Sequence, residues 1–178
     1  MTRPTPPDVA LRAYAWNLGY AEALTSDLEP EVWTRGAGPG LENHATWTIG
    51  HLVTGSDLLA EDLGLARDVS EEWRLLFERR GPGDPRLPDP DPAAYPALPG
   101  VVRELRRQHE RVAAAWRRLD EARLTGRVEW RFAGELPTLA DLGLFMAVTH
   151  EAMHLGQLAA WRRALGLPSA LAALGRAP

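Results

Sequence analysis

Between residues 98 and 119 the chain places Leu98, Val102, Leu105, His109, Val112, Trp116 and Leu119 in alternating steps of four and three. At 3.6 residues per turn such steps keep every side chain on one stripe of an α-helix, the spacing of a seam between packed helices and not of a strand. A helix is therefore predicted over 97–122, and its stripe has to be covered by other helices.

Three further segments offer that cover. Leu11, Tyr14, Leu18, Ala21 and Leu28 share a face over 8–28, with Pro6-Pro7-Asp8 as a start and Pro30 after the end. Trp47, His51, Leu58 and Leu59 mark a second helix over 44–63, where Asn43 or Thr46 can cap the N-terminus and Gly64 stops the run. Pro137-Thr138 opens a fourth long helix that runs to about 165, stopped by Gly166 and Pro168. Gly36 to Gly40 breaks the chain between the first two. A long connection over 65–96, with a short helical candidate at 71–80 and then many prolines, separates the second from the third, and its length suits a lid over a pocket. Val128 to Phe132 reads as a short extended piece. Four long helices without a repeat predict an all-α chain, an antiparallel four-helix bundle forming a single domain over 1–178 with a polar arm at 1–7.

A chain of 178 residues suits one core, which hides roughly 70% of the surface an unfolded chain would expose. With 45% hydrophobic and 25% charged residues, no apolar leader and no apolar run near the ~20 residues that span a bilayer, the expectation is a soluble, cytoplasmic protein without a membrane partner. The net charge of -4, spread among interspersed acids and bases, offers no surface that releases counterions from a phosphate backbone, so nucleic acid is set aside as a partner. Cysteine is absent, which removes thiolate ligands, a thiol nucleophile and disulfides. Every basic residue is an arginine, so no lysine serves as a base or forms a Schiff base. The chemistry left to the chain is that of imidazole and carboxylate.

Both groups meet in "T-H-E-A-M-H-L-G-Q-L", residues 149–158, which spells H-E-x-x-H. On an ideal helix His150 and His154 lie ~40° apart and ~6 Å along the axis, so their rings can lean toward one point. Leu139, Gly143, Met146, Gln157, Trp161 and Leu165 share that arc, whereas Asp141, Arg162 and Arg163 lie well round from it, and the two histidines are expected to face the core. Two core-facing imidazoles either find separate hydrogen-bond partners or share a divalent ion. A peptidase of this motif takes its third ligand downstream, but Leu155 to Pro178 contains no His, Asp or Glu. The third ligand has to come from upstream.

His51 is the choice, because it shares an arc with Trp47, Gly55 and Leu58 and should point inward. His44 sits at the helix start and reads as a capping or loop residue. His109 lies on the seam of the third helix and reads as a hydrogen-bonded core histidine. Asp62 shares the arc of His51 but lies ~16 Å along the axis, which is too far. Gln157 is placed to hydrogen-bond a ligand from behind. Glu151, ~80° off the arc, reads as a solvated or interface carboxylate more readily than as a general base. Three neutral histidines leave positions open for water or substrate, the arrangement of a catalytic metal site.

At "W-T-I-G-H-L", with His51 four residues after Trp47, and at "H-E-A-M-H-L-G-Q-L", with His150, His154 and Gly156-Gln157, the sequence resembles the DinB superfamily of DinB/YfiT-like metalloenzymes. The W-x-x-x-H form looks most like the branch that also supplies the iron-binding N-terminal domain of ergothioneine-forming sulfoxide synthases. The resemblance implies an up-down-down-up bundle, metal ligation by His51, His150 and His154, a divalent ion such as Ni, Zn, Fe or Mn, and a homodimer. Family members with assigned roles include thiol transferases that use bacillithiol and isomerases that use mycothiol. The function expected here is a metal-dependent thiol S-transferase that borrows a low-molecular-weight thiol and acts on a small-molecule substrate, or a metal-dependent hydrolase. The alternative is a non-catalytic metal- or small-molecule-binding bundle in stress response.

Overall fold

The computed structural model describes residues 6–79, 81, 84–172 and 174, so most of the arm at 1–7 lies outside the described residues. The chain is helical, and among the described residues there is no β-strand. Its long elements are α1 (Pro6–Thr25), α2 (Ala45–Asp62), α4 (Leu98–Trp116) and α7 (Glu151–Ala164). Shorter helices fill the connections: α3 (Glu71–Phe77), α5 (Glu121–Thr125) and α6 (Leu139–Leu144), the last joined to α7 by a π-helical turn, Phe145–His150.

Local chemistry sets these limits. The α2 N-terminus is capped by His44, in the capping role read for it, with Nδ1 accepting from the Trp47 amide at 3.2 Å; Asn43 and Thr46, the other candidates, do not cap it. The Ser70 hydroxyl caps α3, which ends at Phe77 and not at residue 80. The third expected helix, 97–122, divides. The helix ends at Trp116 although the stripe runs on to Leu119, and Asp120 then caps α5 by accepting from the Arg123 amide at 2.8 Å. Residues 128–132 form no strand; the nearest feature is an isolated antiparallel bridge between Arg127 and Thr138. Thr138 opens α6 through a capping box with Asp141.

The stripe of α4 is covered as its spacing demands. Helix α4 packs on α2 and α1, and α7 packs on the other side of α1 and α2. Apolar side chains gather in two groups. One is built from Ile49, Leu52, Val101, Leu105, Leu158 and Trp161, the other from Tyr14, Leu59, Val112, Trp116 and Leu142. Between them runs a layer of buried polar residues, among them Asn17, Ser56, His109 and Glu151. Close packing shows at Gly143, where an added Cβ would lie 2.2 Å from the Trp116 ring. No helix among the described residues is long and apolar enough to cross a membrane.

Candidate metal centre

On α7 the buried side chains are Glu151, Leu155, Leu158, Trp161 and Arg162. The stripe that enters the core is therefore centred on Glu151, Leu155, Leu158 and Arg162. This corrects two expectations. Arg162, expected to lie outside, is 2% exposed and makes a bidentate pair with Asp27 at 2.7 and 2.8 Å, with further bonds to the Leu24 and Pro168 carbonyls. Glu151, expected to be solvated, is also 2% exposed. A uniform wheel assigns charged residues to solvent, but a fully hydrogen-bonded charge can enter a core. His150 and His154 flank this stripe, half-buried, on the side that faces α2.

There they meet His51. Ring centroids lie 5.3 Å apart for His51 and His150, 4.6 Å for His51 and His154, and 4.6 Å for His150 and His154. One ring nitrogen from each falls within 4.8 Å of the others. On α2, Gly55 leaves room for the approach, since a Cβ there would already touch the His150 ring at 3.4 Å. Leu58, placed with His51 on an inward arc, is instead 42% exposed. Trp47 on the same arc is buried, whereas His51, His150 and His154 are only half-buried, so the three rings sit at the edge of the core.

Two of the rings are fixed from behind. The Nδ1–H of His51 donates to the Phe77 carbonyl at 2.9 Å, and the Nδ1–H of His154 donates to Gln157 Oε1 at 3.1 Å. In each case Nε2 is left with its lone pair free. All three imidazoles have pKa values lowered to about 4, first by burial and then by the charge a neighbouring ring would carry. They are thus neutral at pH 7, the form in which histidine binds a metal. Three nitrogens on one zinc ion, at bonds of 2.0–2.1 Å, lie about 3.4 Å apart in tetrahedral geometry, so nitrogens within 4.8 Å of one another come together by up to about 1.4 Å to share it. The group could hold an ion.

The other titratable residues take different places. His44 caps α2, and Asp62 is absent from the cluster. His109 donates or accepts through Nε2 with Glu151 Oε1 at 2.9 Å, and Tyr14 stacks on it at 3.6 Å. The Glu151 carboxyl pKa is raised by burial, against the opposing bonds from His109 and Ser56. It lies behind the histidines and turns away from them.

Several contributors escaped the sequence pattern. Phe77, in the connection, reaches His51 because Gly50 lets its ring lie against the α2 backbone; a Cβ at Gly50 would sit 2.3 Å from that ring. Glycine within an apolar helix was the available signal. Arg79 places its guanidinium 4.2 Å from the centre of the Trp47 ring, which itself stacks parallel to His51 at 5.0 Å. Nothing in the local spacing pointed to Arg79. On α1, Asn17 donates to the Ala147 and Val148 carbonyls at 3.2 and 3.1 Å, within the π-helical turn that ends at His150.

The sequence profile of the DinB superfamily matches residues 13–158. Among solved structures the chain is similar to one described as a conserved protein from Enterococcus faecalis, with a TM-score of 0.70 and 16% identity, over 92% of this chain and 99% of that one. That likeness is one of fold. No protein of curated function matches.

Proposed function

Because this chain belongs to the DinB superfamily, we propose that it is a metal-dependent thiol S-transferase in which His51, His150 and His154 hold a divalent transition-metal ion such as Ni, Zn, Fe or Mn. In this reading α1, α2, α4 and α7 form one four-helix bundle of up-down-down-up topology, a single domain over the whole chain. The observation that carries the proposal is the donor set: three neutral imidazoles converge with no carboxylate among them.

Phe77 and Gln157 hold two of the rings so that Nε2 faces the ion, the role that groups behind a metal ligand ordinarily have. When bound, a divalent ion lowers the pKa of a thiol and orients its sulfur toward an electrophile. The chain has no cysteine, so the thiol comes from a small molecule. Hydrolysis is the less supported reaction. It asks for a general base within hydrogen-bond reach of water, and the Glu151 carboxylate is committed to His109 inside the core. A thiol nucleophile, acidified by the ion, does not need that base.

The test is turnover. Zinc- or nickel-loaded protein is incubated with bacillithiol or glutathione and the electrophile monochlorobimane. Formation of the fluorescent adduct above the uncatalysed rate, lost in His51→Ala, supports transfer. Tight thiol binding without turnover would favour the non-catalytic binding bundle.

A further inference from the structure

Asp57, on the same helix as His51, is fully buried. Its carboxylate accepts from the Arg67 Nε at 2.9 Å, from the Asp68 amide at 2.9 Å and from Arg111 at 3.1 Å. A buried carboxylate keeps its charge only while its oxygens are bonded, so Arg67 is held firmly against α2. The other end of the same guanidinium binds the Glu78 carboxylate. One planar cation thus spans two carboxylates, one on α2 and one at the end of α3.

Glu78 shares a peptide plane with Phe77. The Phe77 carbonyl in that plane accepts from the His51 Nδ1–H at 2.9 Å, and the Glu78 amide donates to the Arg74 carbonyl at 2.9 Å. Such a plane turns only about the bonds to its two flanking Cα atoms. The Phe77 ring, seated against Gly50, restrains one side. The Glu78 side chain, tied to Arg67, restrains the other. Helix α3, at 7 residues, is too short to hold its own end. Because Asp57 and His51 both project from α2, the contacts close a circuit that runs from Asp57 through Arg67, Glu78 and the Phe77 carbonyl to the His51 ring.

We propose that Arg67 is a positioning residue for the three-histidine centre: anchored on Asp57, it fixes Glu78 and so aims the Phe77 carbonyl at His51 Nδ1, which keeps the proton there and leaves Nε2 free for the ion. This rests on the ligand role given to His51 above, and its first test is made without metal.

The test uses metal-free, full-length protein labelled with nitrogen-15 at histidine, at pH 7.5. Long-range proton–nitrogen correlation spectra then distinguish a ring nitrogen that carries a proton from one that does not. In the wild type, His51 is expected as one tautomer, protonated at Nδ1. Glu78→Ala cuts the link but leaves the pair of Arg67 with Asp57 intact. It should mix in the tautomer protonated at Nε2 and lower zinc affinity about tenfold in competition with a chelator. Glu78→Gln, which can still accept from Arg67, should keep the single tautomer and an affinity close to that of the wild type. Arg67→Lys, whose ammonium can keep Asp57 but not span both carboxylates, should behave as Glu78→Ala does, and it decides the matter if that variant does not fold. Arg107→Ala is the control, because Arg107 pairs with Asp68 and Glu104 in the neighbouring ion-pair network; it should change neither readout. An unaltered tautomer with unaltered zinc affinity in Glu78→Ala, an equal loss in Arg107→Ala, or a wild-type His51 protonated at Nε2 overturns the proposal. If the wild type binds no zinc, the metal reading fails, and the His51 tautomer in Glu78→Ala still decides whether Arg67 positions the ring.

Discussion

Glu151 Oε1 lies 2.9 Å from Nε2 of His109, with both side chains closed to solvent and Tyr14 stacked on the imidazole. The glutamate of an H-E-x-x-H motif serves a zinc peptidase as a base facing the metal. Here the same letter points into the core, because α7 buries the stripe that begins at Glu151 and leaves His150 and His154 at its edge. Glu151→Ala is therefore expected to destabilise the fold by about 1–3 kcal/mol, the cost of leaving a buried hydrogen-bonding group without its partner, while leaving metal content unchanged. Urea denaturation and elemental analysis of the same sample check this. Intact stability with lost metal would assign Glu151 to the metal site instead.

Acid should unfold the metal-free protein early. His51, His150 and His154 have folded-state pKa values of about 4 against 6.5 for an ordinary histidine. For a base whose folded pKa is depressed, the unfolded chain binds protons first. Stability is then fully present above pH 6.5 and falls as the pH drops from there toward 4. Urea midpoints between pH 7.5 and 4 should decline through that window, and His154→Ala should make the decline shallower. An equal slope in wild type and variant would mean that the ring is not held neutral by its surroundings.

Two glycines separate packing from site geometry. Gly50→Ala drives a methyl into Phe77, and Gly143→Ala drives one into Trp116. Each should cost about 1–3 kcal/mol through overpacking. Only Gly50→Ala should weaken zinc binding, by roughly tenfold, because Phe77 carries the carbonyl that orients His51. Competition titration against a zinc chelator distinguishes them; equal affinities in the two variants would detach Phe77 from the site.

Asn17 should matter to a site it does not touch. Its amide donates to two carbonyls of the π-helical turn ending at His150, and such turns leave carbonyls without their usual helical partners. Asn17→Leu leaves those groups unpaired, at about 1–3 kcal/mol, and lets the turn relax toward α-helix, which rotates His150. A fall in zinc affinity alongside the stability loss is expected. Unchanged affinity would show that the turn holds its shape alone.

Much of this site could be read in the sequence where pattern and packing agree. The stripe from Leu98 to Trp116 became α4 because an uninterrupted seam has one low-energy placement. His150 and His154 converge because a four-residue step on a helix leaves little choice, and His51 joins them from α2. What escaped the pattern depends on partners distant in the chain. Arg162 enters the core only because Asp27 and two carbonyls await it, and Glu151 only because His109 does. Phe77 and Arg79 lie where no periodicity operates, so their places beside His51 and Trp47 emerge only once the connection is folded. The π-helical turn has no signature in composition, and a wheel drawn at ~100° per residue loses its phase there.

The central claim is that His51, His150 and His154 together hold one metal ion, and elemental analysis of protein purified without an affinity tag tests it most directly. Close to one equivalent of a divalent transition metal per chain is expected, falling below a tenth in His51→Ala while the helical circular dichroism is retained. A wild-type protein that carries no stoichiometric metal after exposure to zinc, nickel, iron and manganese, or one whose metal content is indifferent to His51, would contradict it.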